Sequence, residues 1–279
     1  MTLAHRQLNF NWPDSQSIVF VWLVLFGWHR ENDAALLLAG SLTGFVHDAL
    51  CGQYRSLANG EWPPYAGETL PEGGIGTHIV RAALAAEGIT VEFDYLSWKR
   101  GLEIAKRGLL VGAILWVPLP EREADFLFSD PIMNTDFVLL YRQNKPLNSV
   151  KQVKGFQFGM ANGYSYEKMP ELTSLVRESG KPSVVVADDE SGIKAVIQER
   201  IDLFPIDRQV GRWLLSNMPA PNVPVLVNEP PIRVDQLVVL FPRTSARSKW
   251  LQERMNAGLA NLRASGQLTN WLQEAAHSP

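Results

Sequence analysis

From Tyr54 to the C-terminus, short strand patterns alternate strictly with helix patterns, and this order constrains the fold of the 279-residue chain more than any other feature. Tyr54–Ala58 is a strand pattern that runs into Asn59-Gly60, and Trp62-Pro63-Pro64-Tyr65 after it must be loop, because two prolines remove donors and fix φ. Ile75, Ile79, Ala82, Ala83 and Ala86 keep helical spacing between Gly73-Gly74 and Gly88. Thr90–Tyr95 alternates as a strand. Ser97 caps a helix that contains Leu102, Ile104 and Ala105 and stops at Gly108. Leu109–Val117 is a continuous apolar run, the mark of a strand buried on both faces. The second half repeats the theme, with strands at Phe137–Tyr141, Phe156–Met160, Ser183–Ala187, Ile201–Pro205 and Gln236–Phe241. Helices are expected at Tyr164–Ser179, Glu190–Glu199, Asp207–Asn217 and, terminally, over 246–264 and 267–275. Such an order predicts an α/β fold with mostly parallel sheets.

Residues 1–53 do not share this pattern. Ile18–Trp28 is wholly apolar, His29–Asp33 breaks it, and a second apolar run covers Ala34–Val46. Neither run reaches the ~18–20 residues that span a bilayer. The second has the length of a signal-peptide core, so an export signal or a misassigned start is expected here, with ordinary buried helix as the alternative.

Composition then excludes whole classes. With 26 basic against 29 acidic residues, there is no basic field to hold a phosphate backbone, so nucleic acid is not an expected partner. The single cysteine, Cys51, excludes an internal disulfide and a cysteine-based zinc site. No His-Glu-x-x-His is present, Gly74-Ile75-Gly76 lacks the third glycine of a dinucleotide loop, and Gly163-Tyr164-Ser165-Tyr166 is not a nucleophile elbow. Asp188-Asp189-Glu190 reads as an acidic helix start. No catalytic residue, metal centre or cofactor is called for. Nine tryptophans are the unusual investment, since Trp often lines ligand clefts.

Against this background, Arg122 followed after five residues by Phe128-Ser129-Asp130-Pro131 is similar to a signature of family 3 extracellular solute-binding proteins, the periplasmic receptors of polar amino-acid ABC importers. Trp62-Pro63-Pro64-Tyr65 resembles the family's aromatic-Pro-Pro-aromatic loop. Gly73-Gly74-Ile75 resembles the start of its first helix, Trp98 its cleft aromatic, Gly163-Tyr164-Ser165 its lobe-two loop, and Arg200-Ile201-Asp202 its Gly-Arg-x-Asp segment. The resemblance covers residues 54–276. It implies a periplasmic-binding-protein-like (type II) α/β fold, two lobes joined by two crossing strands. Lobe one would take 54–133 and 235–279, and lobe two 134–234.

For function, the resemblance implies capture of an amino acid or other small carboxylate in the interlobe cleft, and delivery by a monomer to an inner-membrane ABC permease. Arg122 would clamp the carboxylate with its planar fork of donors; otherwise it is a solvated arginine paired with Glu121 or Asp125. Ser165 would donate to the same anion from a helix N-terminus, or simply cap that helix. Asp207 lies seven residues after Arg200, where the family places the carboxylate that holds an α-ammonium, and it can equally be an N-cap. Trp62, Tyr65, Trp98, Trp116 and Tyr164 would wall the cleft, or be core. Some family positions are altered: Val117 and Leu119 stand where small hydroxyl residues are expected, and His78 replaces an acidic one. An enzyme on the same scaffold, such as a cyclohexadienyl-dehydratase-like lyase, and a ligand-sensing module are the alternatives.

Overall fold

The computed structural model describes residues 56–277, so the expected export signal or altered start within 1–53 lies outside the described residues. The order of elements follows the sequence pattern closely. In the first half, β1 (Ser56–Asn59), α1 (Ile75–Ala86), β2 (Glu92–Tyr95), α2 (Trp98–Lys106), β3 (Gly112–Trp116) and β4 (Phe126–Phe128) alternate. β5 (Met133–Arg142) leads into β6 (Gly159–Ala161), α3 (Pro170–Ser179), β7 (Val184–Val186), α4 (Asp189–Ile197), β8 (Leu203–Asp207), α5 (Arg208–Ser216) and β9 (Val225–Val227). β10 (Arg233–Pro242), α6 (Ser248–Ala264) and α7 (Gln267–His277) complete the described chain.

The two ten-residue strands β5 and β10 hold the halves together. β10 pairs with β5 through Arg233–Leu237 and with β3 and β4 through Val238–Pro242, so one strand serves both halves. The main sheet accordingly runs β2-β1-β3-β10-β5-β8. The largest apolar cluster is continuous through this junction, from Ile79 and Leu259 through Val138 and Leu237 to Phe204.

Three expectations need correction. The sheets are not mostly parallel: β1 pairs in parallel with β2 and β3, and β6 with β7, whereas every pairing of β5 and β10 is antiparallel. Strands that leave one half and return to it must run in opposite senses. The helix expected over Tyr164–Ser179 begins only at Pro170, which takes a first-turn position where its missing N–H costs nothing. A 3-10 turn, Tyr166–Lys168, precedes it. The run from Leu109 is likewise shorter than expected: Leu109 is 52% exposed, and β3 starts at Gly112.

Close approaches explain the glycines that echo a nucleotide loop. Gly74 has φ +91°, and a Cβ there would sit 2.6 Å from the Tyr65 carbonyl oxygen. Ser129 and Asp202, two landmarks of the resemblance, are structural. The Ser129 hydroxyl accepts from Val239 N at 2.9 Å, and Asp202 accepts from Gln157 N at 2.8 Å while pairing with Lys145 at 2.7 Å.

Candidate functional site

A cavity of about 400 Å³ lies beside the crossing strand β10, between β3 and the turn that follows β6. Its shape starts from a fault in the sheet. Val238 and Leu240 of β10 face Trp116 and Ala113 of β3, so three steps on one strand match two on the other. The extra residue bulges at Leu115, which holds φ +63°, a conformation costing about 1–3 kcal/mol for a non-glycine residue. Past the bulge, Trp116 lines the cavity with Trp98, their rings in an edge contact at 5.7 Å and 82°. Trp62 and Tyr164 line it too, as do Val117 and Leu119.

Arg122 is the cation of this cavity. Pro120 starts the 3-10 turn Pro120–Arg122, which carries the arginine inward. Its Nη1 donates to the Val117 carbonyl at 2.5 Å, and its guanidinium carbon lies 4.7 Å from the centre of the Trp116 ring. Neither neighbouring carboxylate neutralises it. Glu121 pairs with Lys168 at 3.2 Å and Asp125 with Lys106 at 2.6 Å. Half-burial pulls the guanidinium pKa down, and the charge of the nearby Glu121 only partly opposes the shift.

Opposite stands a chain of hydrogen bonds from indole to phenol to carboxylate. Trp62 Nε1 donates to the Tyr164 hydroxyl at 3.2 Å, and that hydroxyl donates to Asp189 Oδ2 at 2.6 Å. Burial pushes the Asp189 carboxyl up to about 6, although the tyrosine bond opposes the shift. Tyr164 is raised well above its ordinary value by burial and by the Asp189 charge. The other oxygen, Asp189 Oδ1, is buried and meets no donor.

Six of the expected site residues thus line one cavity: Arg122, Ser165, Trp62, Trp98, Trp116 and Tyr164. Ser165 does so from a different setting than expected. It precedes the short 3-10 turn, is exposed and caps nothing with its side chain, so no α-helix N-terminus adds its dipole there. Tyr65 and Asp207 are not brought to this cavity. The Tyr65 hydroxyl donates to Asp207 Oδ1 at 2.9 Å, and the same oxygen accepts from Gln209 N at 2.9 Å and Val210 N at 3.1 Å. Asp207 is therefore the N-cap of α5 and the partner of a buried phenol, and it does not line the cavity.

The residue missed in the sequence is Asp189. A signal existed in the doubled aspartate: a helix needs one cap, and Asp188 supplies it by accepting from Ser191 N at 2.8 Å. The second carboxylate was free for other work. The Leu115 bulge left no such trace, since it depends on the register between β3 and β10.

No protein-family model matches the sequence, and no curated protein matches it. Solved structures do match. The sensor domain of a histidine kinase with similarity to periplasmic binding proteins is 18% identical, with a TM-score of 0.66 over 81% of this chain and 97% of that one. The arginine-, lysine-, histidine-binding protein ArtJ from the thermophilic bacterium Geobacillus stearothermophilus is 18% identical, with a TM-score of 0.62 over 81% of this chain and 96% of that one. The GluR0 ligand-binding core from Nostoc punctiforme, solved in complex with L-glutamate, is 19% identical, with a TM-score of 0.62 over 78% of this chain and 97% of that one. At this identity the likeness speaks for architecture, and with the paired crossing strands it gives the chain the periplasmic-binding-protein-like type II fold, two lobes joined by β5 and β10.

Proposed function

We propose that this chain is a solute-binding protein of the family 3 extracellular type, which captures an amino acid or other small carboxylate between its lobes. Residues 54–133 and 235–279 form one lobe and 134–234 the other. Closure about β5 and β10 buries the solute, and the monomer presents it from the periplasm to an inner-membrane ABC permease rather than transforming it. Among the described residues, no helix is long and apolar enough to cross a membrane. The fold supports the reading, because the substrate binding protein of an amino acid ABC transporter, the arginine-, lysine-, histidine-binding protein ArtJ and the GluR0 ligand-binding core in complex with L-glutamate share it.

The observation that carries it is Arg122, a guanidinium in an aromatic cavity with one backbone carbonyl and no carboxylate as partner. Such a group is set to receive a carboxylate in bidentate fashion. Screening amino acids and small carboxylates by thermal shift, then titrating the best by calorimetry, tests it. Arg122→Ala should lose about 2–5 kcal/mol, which is about thirtyfold to several thousandfold in affinity, and Arg122→Lys should not rescue it. Equal affinity in all three proteins overturns the clamp.

A further inference from the structure

The charged groups around the cavity are nearly all spoken for. Lys168 pairs with Glu121 at 3.2 Å, Arg233 with Asp235 at 2.6 Å, Asp188 caps α4, and Glu61 accepts from Glu68 N at 3.0 Å. Arg122 has no carboxylate partner, and among the acidic side chains of the cavity Asp189 alone is held by side-chain hydrogen bonding with one oxygen, Oδ1, left without a donor. A buried carboxylate oxygen without a donor costs about 1–3 kcal/mol or more, so it favours any solute that brings one. Its companion Oδ2 is fixed by Tyr164, which Trp62 holds in turn, so the free oxygen is oriented before any solute arrives. Two aromatic rings beside a carboxylate also suit a cation, since a ring face attracts positive charge.

The carboxylate that the resemblance assigns to an α-ammonium does not line the cavity. Asp207 Oδ1 already accepts three bonds, the Tyr65 hydroxyl among them, and neither residue lines the cavity. We propose that Asp189, and not Asp207, is the anionic subsite of this cleft, and that the solute is dipolar, with a cationic nitrogen held at the Asp189 carboxylate beside Trp62 and Tyr164 and a carboxylate held at Arg122. This rests on the solute-binding reading above and narrows it from carboxylates in general to carboxylates that carry a cationic nitrogen.

The test pairs each of the nineteen standard amino acids that carry a primary amine with its desamino carboxylate and its N-trimethyl betaine, and titrates the best-binding trio into wild type, Asp189→Asn and Asp207→Asn. Asparagine keeps an oxygen for the tyrosine donor in both variants, so each should fold. Wild type should prefer the amino or betaine member over the desamino acid by about tenfold or more, some 1.4 kcal/mol. Asp189→Asn should bring that ratio to near one, and Asp207→Asn should leave the ratio as it is. Preference for the betaine would identify a methylated ammonium, and preference for the amino acid a primary one; either supports the subsite. If the desamino acids bind as well as their partners, or the ratio follows Asp207, the subsite assignment falls while the solute-binding reading stands. If no member of any trio binds, both fall.

Discussion

Asp189 and Asp207 are built alike and do different work. Each stands at the start of a helix between β5 and β10, each accepts a tyrosine hydroxyl, and burial raises each carboxyl to about 6. Each also leaves its second oxygen buried without a donor. The difference lies in the surroundings. Asp207 is 1% exposed and closed in by the N-terminus of α5 and the Tyr65 ring, so its tyrosine acts as a bolt between the lobes. Asp189 lines the cavity, so its tyrosine acts as a bracket that fixes a carboxylate in the cavity wall. A hydrogen-bonded carboxylate can thus lock a cleft or serve it, and access decides which.

The largest effect that separates the two is the pH dependence of stability. A carboxyl raised from 3.8 to about 6 binds a proton in the folded state when the unfolded chain has released it. Its contribution is fully present below the unfolded value and is lost as pH rises through the folded one. For Asp207, deeply buried, that is on the order of 3 kcal/mol between about pH 3.5 and 7. Denaturant unfolding of wild type and Asp207→Asn across this range should show their stability difference changing by that amount. Asp189→Asn should show the same sign with a smaller size, since cavity water reaches its surroundings. Saturating solute should erase the Asp189 component and leave that of Asp207 intact. If solute erases both, the bolt and the bracket are the same kind of site.

Removing the two phenol oxygens comes next in size. Tyr65→Phe deprives a buried carboxylate of its side-chain donor, and hydrogen bonds to charged groups are worth about 1.5–3 kcal/mol. Tyr164→Phe should cost less stability, about 1 kcal/mol, because a water molecule in the cavity can replace the lost donor. Solute affinity should reverse that order, since Tyr164 orients the cleft carboxylate and Tyr65 does not touch the cavity. Chemical denaturation and calorimetry on the two variants check both halves of the statement. Equal losses of stability would mean that the cavity is as dry as the interface around Asp207.

What the sequence could and could not reveal follows the same division between local and distant causes. Helical spacing from Ile75 to Ala86 and the stop at Gly88 need only neighbours in the chain, and α1 lies where they place it. Arg122 could be picked out because its spacing to Phe128-Ser129-Asp130-Pro131 is a local fact. Asp207 was misplaced because the hydroxyl that occupies it belongs to Tyr65, 142 residues earlier. Trp116 was named for its ring, but the bulge that turns it inward depends on the register with β10, which no strand pattern contains. Glu199 shows the limit on the backbone side. It stands where the resembling segment has glycine, yet holds φ +62°, so the left-handed turn survives without the residue that usually marks it.

The smallest expected effect concerns the third contact across the cleft, Glu121 with Lys168 at 3.2 Å. It spans the lobes as the Tyr65–Asp207 bond does, and by distance alone it would rank beside it. Exposure says otherwise, because the two side chains are 50% and 46% accessible. An ion pair in water gains little from closing, since each partner gives up good hydration and side-chain freedom for a screened attraction. Glu121→Gln should therefore leave the melting temperature unchanged within error, and 1 M salt, where the screening length is about 3 Å, should leave the ligand-free protein as compact as before by small-angle scattering. Tyr65→Phe in the same experiment should shift the ligand-free protein toward a more open form, because it withdraws the donor from a carboxylate that water cannot easily reach while the lobes stay shut. A salt-induced opening of wild type, or an opening by Glu121→Gln alone, would reverse this ranking and make the surface pair the true latch.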